Sequence, residues 1–322
     1  MKRRLTLIIN PNSGTISKKG IENWLPKHLE RHGCVVDVRH TAGPGDATLI
    51  AADCARRGDY GVLACGGDGT VNEVASGLIG TDTAMGILPA GSGNGLARHI
   101  GIPVDVALAA RVIAHDNIQT CDYGTVNGRP FFCTFGIGFD AAVSQRFAAK
   151  NRRGLNSYLQ SALDEFIKYR SADYEIIIGD EMVTDRAFLV AVCNASQYGN
   201  NAFIAPAASI SDGLLDVIIV HDGSILEKAW MGLEMMTGSI SNKGKIRVIQ
   251  TPSLKIRSKE IAPAHIDGEP CEFPGEVEIK CHPGKLRIFV PTHEIRFIPI
   301  LTPIWYTLRE WGLVLSRPLR RH

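Results

Sequence analysis

Long apolar runs are missing from this 322-residue chain, and so is a dominant charge of either sign. No stretch reaches the ~18 apolar residues that a membrane-spanning helix needs. The apolar run near the N-terminus, Leu5-Thr-Leu-Ile-Ile9, stops at Asn10-Pro11 and is too short for a signal-peptide core. Lys and Arg (35) nearly cancel Asp and Glu (33), so the formal charge is only +2 and the basic footprint of a nucleic-acid binder is absent. Fixed-period repeats and low-complexity segments are also lacking. The eight cysteines include no C-x-x-C pair, which argues against a zinc knuckle or a dithiol redox centre. Several lie in apolar runs such as Val62-Leu-Ala-Cys65, where a thiol acts as a small hydrophobe. A reduced, cytoplasmic setting is the expectation. His28, His32 and His40 are read as surface residues.

What is present is the composition of a globular protein, 45% hydrophobic and 21% charged, at a length that predicts two domains. Short β-branched runs alternate with helical stretches through about residue 125. Strands are expected at Leu5 to Ile9, Cys34 to Val38, Gly61 to Cys65 and Ala84 to Leu88, and helices at about Lys19 to Arg31, Asp46 to Arg57 and Val71 to Leu78. This alternation predicts an α/β domain over 1–125 with a mostly parallel sheet and helices on both faces. Beyond it, strand candidates at Phe131 to Phe135, Tyr174 to Ile178, Ala187 to Cys193, Leu215 to Val220, Leu254 to Arg257, Val277 to Cys281 and Arg287 to Val290 predict a β-sandwich domain over 126–295. Helices at about Leu155 to Tyr169 and Ile225 to Met236 interrupt them.

Two glycine turns follow strands of the first domain. Gly66-Gly-Asp-Gly-Thr70 and Gly91-Ser-Gly-Asn-Gly95 can each bring bare backbone N–H groups against a phosphate. Neither is a standard motif. A Walker A loop needs a Lys-Ser/Thr pair after its last glycine, and the dinucleotide fingerprint wants a glycine where Leu96 stands. A single such turn is as readily a plain turn, but two on one sheet edge favour a ligand.

Asn10-Pro-Asn-Ser-Gly14, Gly66-Gly-Asp-Gly-Thr-Val-Asn-Glu73 and Leu88-Pro-Ala-Gly-Ser-Gly-Asn94 resemble, in order and spacing, the diacylglycerol kinase catalytic family, which includes sphingosine and ceramide kinases and bacterial soluble lipid kinases. Gly136-Ile-Gly-Phe-Asp140, Asp212-Gly-Leu-Leu-Asp216 and Ile266-Asp-Gly-Glu-Pro270 extend the resemblance over about residues 5 to 292. It implies a nucleotide-binding α/β domain, a β-sandwich and an active site between them. It further implies an ATP- and Mg²⁺-dependent kinase that phosphorylates a lipid hydroxyl at the membrane surface. Asn10, Thr41, Gly66, Gly67, Asp68, Gly69, Thr70, Val71 and Asn72 correspond to the ATP-phosphate cradle. Glu73 opens the helix behind it, and Ser92, Gly93 and Asn94 complete the nucleotide side. Asp68 and Asp122 correspond to acidic positions of a metal network. Ser209, Ser211, Asp212 and Leu214 correspond to a loop that holds a structural Mg²⁺ in some bacterial members. Glu269 aligns with the proton acceptor, and Asp68 is the competing base. Gly95 departs from bacterial members with an acidic residue there and leans towards the sphingosine and ceramide kinase branch. Without the resemblance, Asp267-Gly268 reads as a hairpin turn.

The last segment, 296–322, holds five arginines, one glutamate and two of the four tryptophans, so the rest of the chain is slightly acidic. Ile304, Trp305, Leu308, Trp311 and Leu315 share one helical face after Thr302-Pro303. Such a helix either packs on the α/β domain or lies on an anionic bilayer. The rival functions are a nicotinamide dinucleotide kinase, which shares a Gly-Gly-Asp-Gly-Thr loop, and a non-catalytic lipid-binding protein. A homodimer is left open, and the acceptor lipid is not named by the sequence.

Overall fold

The computed structural model describes residues 2–11, 20–149, 165–166, 169–259, 263–293 and 299. The helix expected at Leu155 to Tyr169 and the tail therefore lie almost wholly outside the described residues.

Four strands form a parallel core sheet. They are β1 (Arg3–Ile9), β2 (Cys34–His40), β3 (Gly61–Gly66) and β4 (Ala84–Pro89), in the spatial order β4-β3-β1-β2. β3 and β4 are fully buried, whereas the edge strand β2 alternates with exposed residues. Helices α1 (Ile21–Glu30), α2 (Asp46–Arg56), α3 (Asp68–Leu78), α4 (Gly95–Ile100) and α5 (Val106–Ala114) join or follow these strands. Val71, Val74, Ala75 and Leu78 of α3 are buried on one face, as their spacing requires. At Gly77 a Cβ would lie 2.5 Å from the Thr48 carbonyl, so only glycine lets α3 pack this closely on α2.

β5 (Ile118–Val126) reaches the boundary expected at 125, and the second domain contains β6 (Arg129–Phe131), β7 (Thr134–Gly138), α6 (Phe139–Ala148), β8 (Ala172–Ile178), β9 (Glu181–Cys193), β10 (Gln197–Gly199), β11 (Ala202–Phe203) and β12 (Leu215–His221). It continues with α7 (Ile225–Thr237), β13 (Ile246–Thr251), β14 (Ser253–Arg257), β15 (Pro263–Ile266), β16 (Glu269–Glu272) and β17 (Glu276–Phe289). Alternate residues of its strands enter two cores. In β9, Val190 and Val192 join the core between the curled strands, whereas Leu189, Ala191 and Cys193 face the side of α7.

Three details differ from the sequence expectation. The strand expected at Phe131 to Phe135 is two, β6 and β7, because the N–H groups of Phe132 and Cys133 bond the Asp267 carboxylate instead of a neighbouring strand. Val277 to Cys281 and Arg287 to Val290 largely belong to one strand, β17, whose register with β5 shifts between His282 and Leu286. Finally, the two domains share one 15-stranded sheet. β17 pairs with β14 at one end and with β4 at the other, while β5 runs beside it across the junction.

Candidate functional site

The carboxyl ends of β1, β2, β3 and β4 lie along one edge, where an open α/β sheet receives ligands. Asn10 follows β1 and donates its backbone N–H to the Cys65 carbonyl and its side-chain amide to Thr70 Oγ1, at 3.3 Å each. Thr41 follows β2, is buried, and donates its N–H to the Ile9 carbonyl. The first glycine turn is tighter than a loop. β3 ends at Gly66, Gly67 is the N-cap, and Asp68 already opens α3. The N-cap is a glycine, which has no side chain to cap the helix, and the positive end of α3 lies at the sheet edge. Gly69 at that end is exposed, while Thr70 and Val71 are buried.

The second glycine turn packs directly on the first. A Cβ at Gly91 would stand 2.7 Å from Gly67 Cα, and one at Gly93 would stand 2.8 Å from Asp68 Oδ2. Asp68 joins the two turns, its Oδ1 accepting from the Gly95 N–H at 2.7 Å and its Oδ2 from the Asn94 N–H at 2.9 Å. Burial pushes the Asp68 pKa up, against the pull of these N–H groups and of the Arg98 charge. Asn94, at φ 52°, closes its own turn by bonding both backbone groups of Gly91, and Ser92 and Gly93 form the tip. Arg98, which the sequence reading missed, donates to the Gly93 carbonyl at 3.1 Å and to Asn201 Oδ1 at 2.8 Å.

From the second domain, the turn between β15 and β16 meets the end of α3. Asp267, at φ 49°, accepts four hydrogen bonds: from Asn72 Nδ2 at 3.0 Å and from the N–H groups of Phe132, Cys133 and Thr134 at 2.8 Å each. Burial nonetheless pushes it up to about 6. Asp267 is thus the clasp between the domains, and its neighbour Glu269 is exposed beside Gly69, where a Cβ would lie 3.4 Å from Glu269 Oε1. No described hydrogen bond engages the Glu269 carboxylate, which leaves it available to a substrate.

Beneath the turn lies a buried network that the sequence reading did not single out. His265 Nδ1 accepts from the Gly268 N–H at 3.2 Å, so the ring proton is assigned to Nε2, which donates to Asp140 Oδ2 at 3.1 Å. Tyr198 donates to the same oxygen at 2.7 Å. His265 and Asp140 are 1% and 4% exposed. Asp140 and His265 stand within or next to family-like motifs, but their pairing links positions 125 residues apart and is invisible in sequence.

Other expected site residues make contacts within the fold. Glu73 Oε2 accepts the Ala47 N–H at 3.1 Å and so caps α2. Asp122 accepts from the Gly213 and Gly284 N–H groups at 2.7 Å each, bracing the β17 irregularity. In the 209–214 loop, Asp212 Oδ1 accepts the Leu214 N–H, and Ser209 Oγ lies 3.4 Å from Ser211 Oγ. Among the described residues no three His, Cys, Asp or Glu side chains converge as a metal site. The carboxylates of Asp68 and Asp122 each accept two backbone N–H bonds.

No described helix is long and apolar enough to cross a membrane. Residues 4–126 match the diacylglycerol kinase catalytic domain, and residues 134–290 match a domain described as the YegS C-terminal NAD kinase beta sandwich-like domain. A Chromohalobacter salexigens protein named "Probable lipid kinase YegS-like" is 30% identical over 260 residues, covering 79% of this chain and 83% of its own. A Bacillus subtilis diacylglycerol kinase is 29% identical over 83% of this chain and 90% of its own. The crystal structure of a diacylglycerol kinase from Bacillus anthracis superposes with a TM-score of 0.72 at 22% identity, over 90% of this chain and 97% of that one, which supports the fold.

Proposed function

Because the chain belongs to the diacylglycerol kinase catalytic family of lipid kinases, we propose that it transfers the terminal phosphoryl group of MgATP to the hydroxyl of a membrane lipid. The observation that carries this reading is the exposed Glu269 carboxylate beside Gly69 at the open end of α3. A phosphate seated on that helix end and a hydroxyl beside Glu269 would be adjacent. In this scheme Glu269 takes the hydroxyl proton, the oxygen attacks the terminal phosphorus, and the bond to the bridging oxygen of ADP breaks. Asp68 holds the two glycine turns in register, and Asn10, Thr41, Thr70 and Ser92 border the nucleotide. Mg²⁺ is assigned to the nucleotide as part of the substrate, whose phosphates supply its ligands, and no residue here is assigned to it.

The acceptor class is a lipid such as diacylglycerol or a sphingoid base, met at the membrane surface with the arginine-rich segment 296–322 in peripheral contact. The test is transfer from labelled ATP, with Mg²⁺, to a panel of diacylglycerol, sphingoid base, ceramide, phosphatidylglycerol and NAD. Labelling of a lipid is expected. Labelling of NAD alone, or of nothing, overturns the reading.

A further inference from the structure

Helix α7 turns Met231 and Met235 into an apolar core, as a surface helix should, but it also leaves an uncharged apolar arc in solvent. The ends of α7 are well defined. Ser224 and Glu227 form a reciprocal capping box, and Gly238 ends the helix at φ 64°. Its charged side chains are tied to the protein. Glu234 is 5% exposed and accepts from Trp230 Nε1 at 3.1 Å and Lys243 Nζ at 3.0 Å. Lys228 pairs with Asp222 at 2.8 Å and lies over the Phe188 ring.

One arc, less than half the circumference, carries Ile225, Leu226, Ala229, Trp230, Leu233, Met236 and Thr237 and no charge. Leu226 is 81% exposed, Ile225 66% and Trp230 56%. Among the described residues only five large hydrophobic side chains are this exposed, and three of them stand on the first two turns of α7. Scattered exposed apolar residues need no explanation, but a concentrated face does.

Two further observations say what covers it. The first is where the chain goes next. Pro299 packs against the end of α7, since a Cβ at Gly238 would lie 2.7 Å from Pro299 Cγ. The residues that follow, 300–322, hold four arginines against one glutamate, together with Trp305 and Trp311. A cationic, tryptophan-bearing segment that sets out from the C-terminal end of the helix carrying an uncharged apolar face is a combination that an anionic lipid surface attracts. The second is continuity with the cleft. Phe203 of β11 lies 3.8 Å from the same Gly238 Cβ position, and Gly199 of the adjoining β10 packs on Gly93 of the second glycine turn. One two-stranded ribbon therefore separates α7 from the candidate site.

We propose that the outer face of α7, formed by Ile225, Leu226 and Trp230, docks the protein on an anionic lipid bilayer. The choice of a bilayer as partner rests on the lipid-kinase reading, but the docking is measured without ATP or turnover, so the two fail separately. The test is co-sedimentation of the full chain with vesicles of equal parts phosphatidylglycerol and phosphatidylcholine, and with phosphatidylcholine alone. The wild-type protein should sediment with the anionic vesicles. The double variant Ile225→Asp, Leu226→Asp should bind at least about tenfold more weakly, because two large apolar side chains no longer enter the interface. Its melting temperature should stay within a few degrees of wild type, since neither side chain is in the core. Equal sedimentation of wild type and variant, or none by wild type, overturns the proposal. So does light scattering that finds a wild-type dimer and a monomeric variant, which would assign the face to a second copy of the chain.

Discussion

Replacing Asp68 by Asn decides whether this carboxylate is a clasp or a base. In the folded protein one oxygen accepts the Gly95 N–H at 2.7 Å and the other the Asn94 N–H at 2.9 Å. An amide offers one acceptor oxygen and one NH₂, so one of these N–H groups must then face a donor. Losing a charge-assisted bond costs about 1.5–3 kcal/mol, and the surviving bond falls to neutral strength at a further ~1 kcal/mol. The contact between the glycine turns is therefore weakened by about 2.5–4 kcal/mol, or roughly two to three decades in any equilibrium that needs both turns. Burial already disfavours the charge on Asp68, and the amide relieves that cost, so global stability should fall by less than the local contact. Titration calorimetry with a non-hydrolysable ATP analogue, without acceptor lipid, reads the effect directly. The expected result is nucleotide affinity lower by about two to three decades with a melting temperature within several degrees of wild type. Unchanged affinity with abolished turnover would make Asp68 the proton acceptor and refute the clasp. Unchanged affinity and turnover would remove it from both roles.

Glu269→Gln should lower kcat by about 10²–10⁴-fold while leaving nucleotide affinity unchanged, as steady-state kinetics with titrated ATP would show; retained turnover removes Glu269 as the base. Asp267 titrates near 3.9 when unfolded and is pushed up to about 6 when folded, so between these values the folded chain holds the extra proton. Its contribution to stability is present below about pH 4 and lost as pH rises through 6, on the order of 3 kcal/mol. Urea midpoints at pH 4.5 and 7 should accordingly differ less in Asp267→Asn than in wild type, and an equal difference contradicts the assignment. Asp216, also raised to about 6 by burial, acts in the same direction in both proteins. Gly136→Ala would place a Cβ 2.3 Å from both Asp140 Oδ2 and His265 Nε2. It should destabilise the fold by about 2–4 kcal/mol through overpacking and a broken buried network; a melting temperature equal to wild type would show that the network yields without cost.

The parallel half of the molecule was legible because its signals are local. Apolar runs such as Val62 to Cys65 end in glycine turns, and the Val71, Val74, Ala75 and Leu78 spacing marks the buried face of α3. The edge on which both glycine turns sit followed from that alternation alone. Errors arose where a distant partner overrides the local pattern. Phe131 to Phe135 reads as one strand until the Asp267 carboxylate, more than 130 positions away, takes the N–H groups of Phe132 and Cys133. Pro283-Gly284 reads as a break, yet β17 continues through it, with Gly284 donating to Asp122. Residue type alone does not give a side chain's direction: Glu73 follows the first glycine turn in sequence, and its carboxylate meets the start of α2. The network of Tyr198, Asp140 and His265 joins three separate segments and leaves no mark in any one of them.

The strands β5 and β17 cross from one domain into the other side by side, and this sets how the cleft can move. Domains joined by a single flexible linker swing like a door on a hinge. Here any opening must bend a two-stranded ribbon, and the softest point is the skipped rung between His282 and Leu286, where Asp122 braces the gap from Gly213 and Gly284. Loss of the Asp122 carboxylate is therefore expected to loosen the ribbon at that rung and leave the Asp267 clasp untouched.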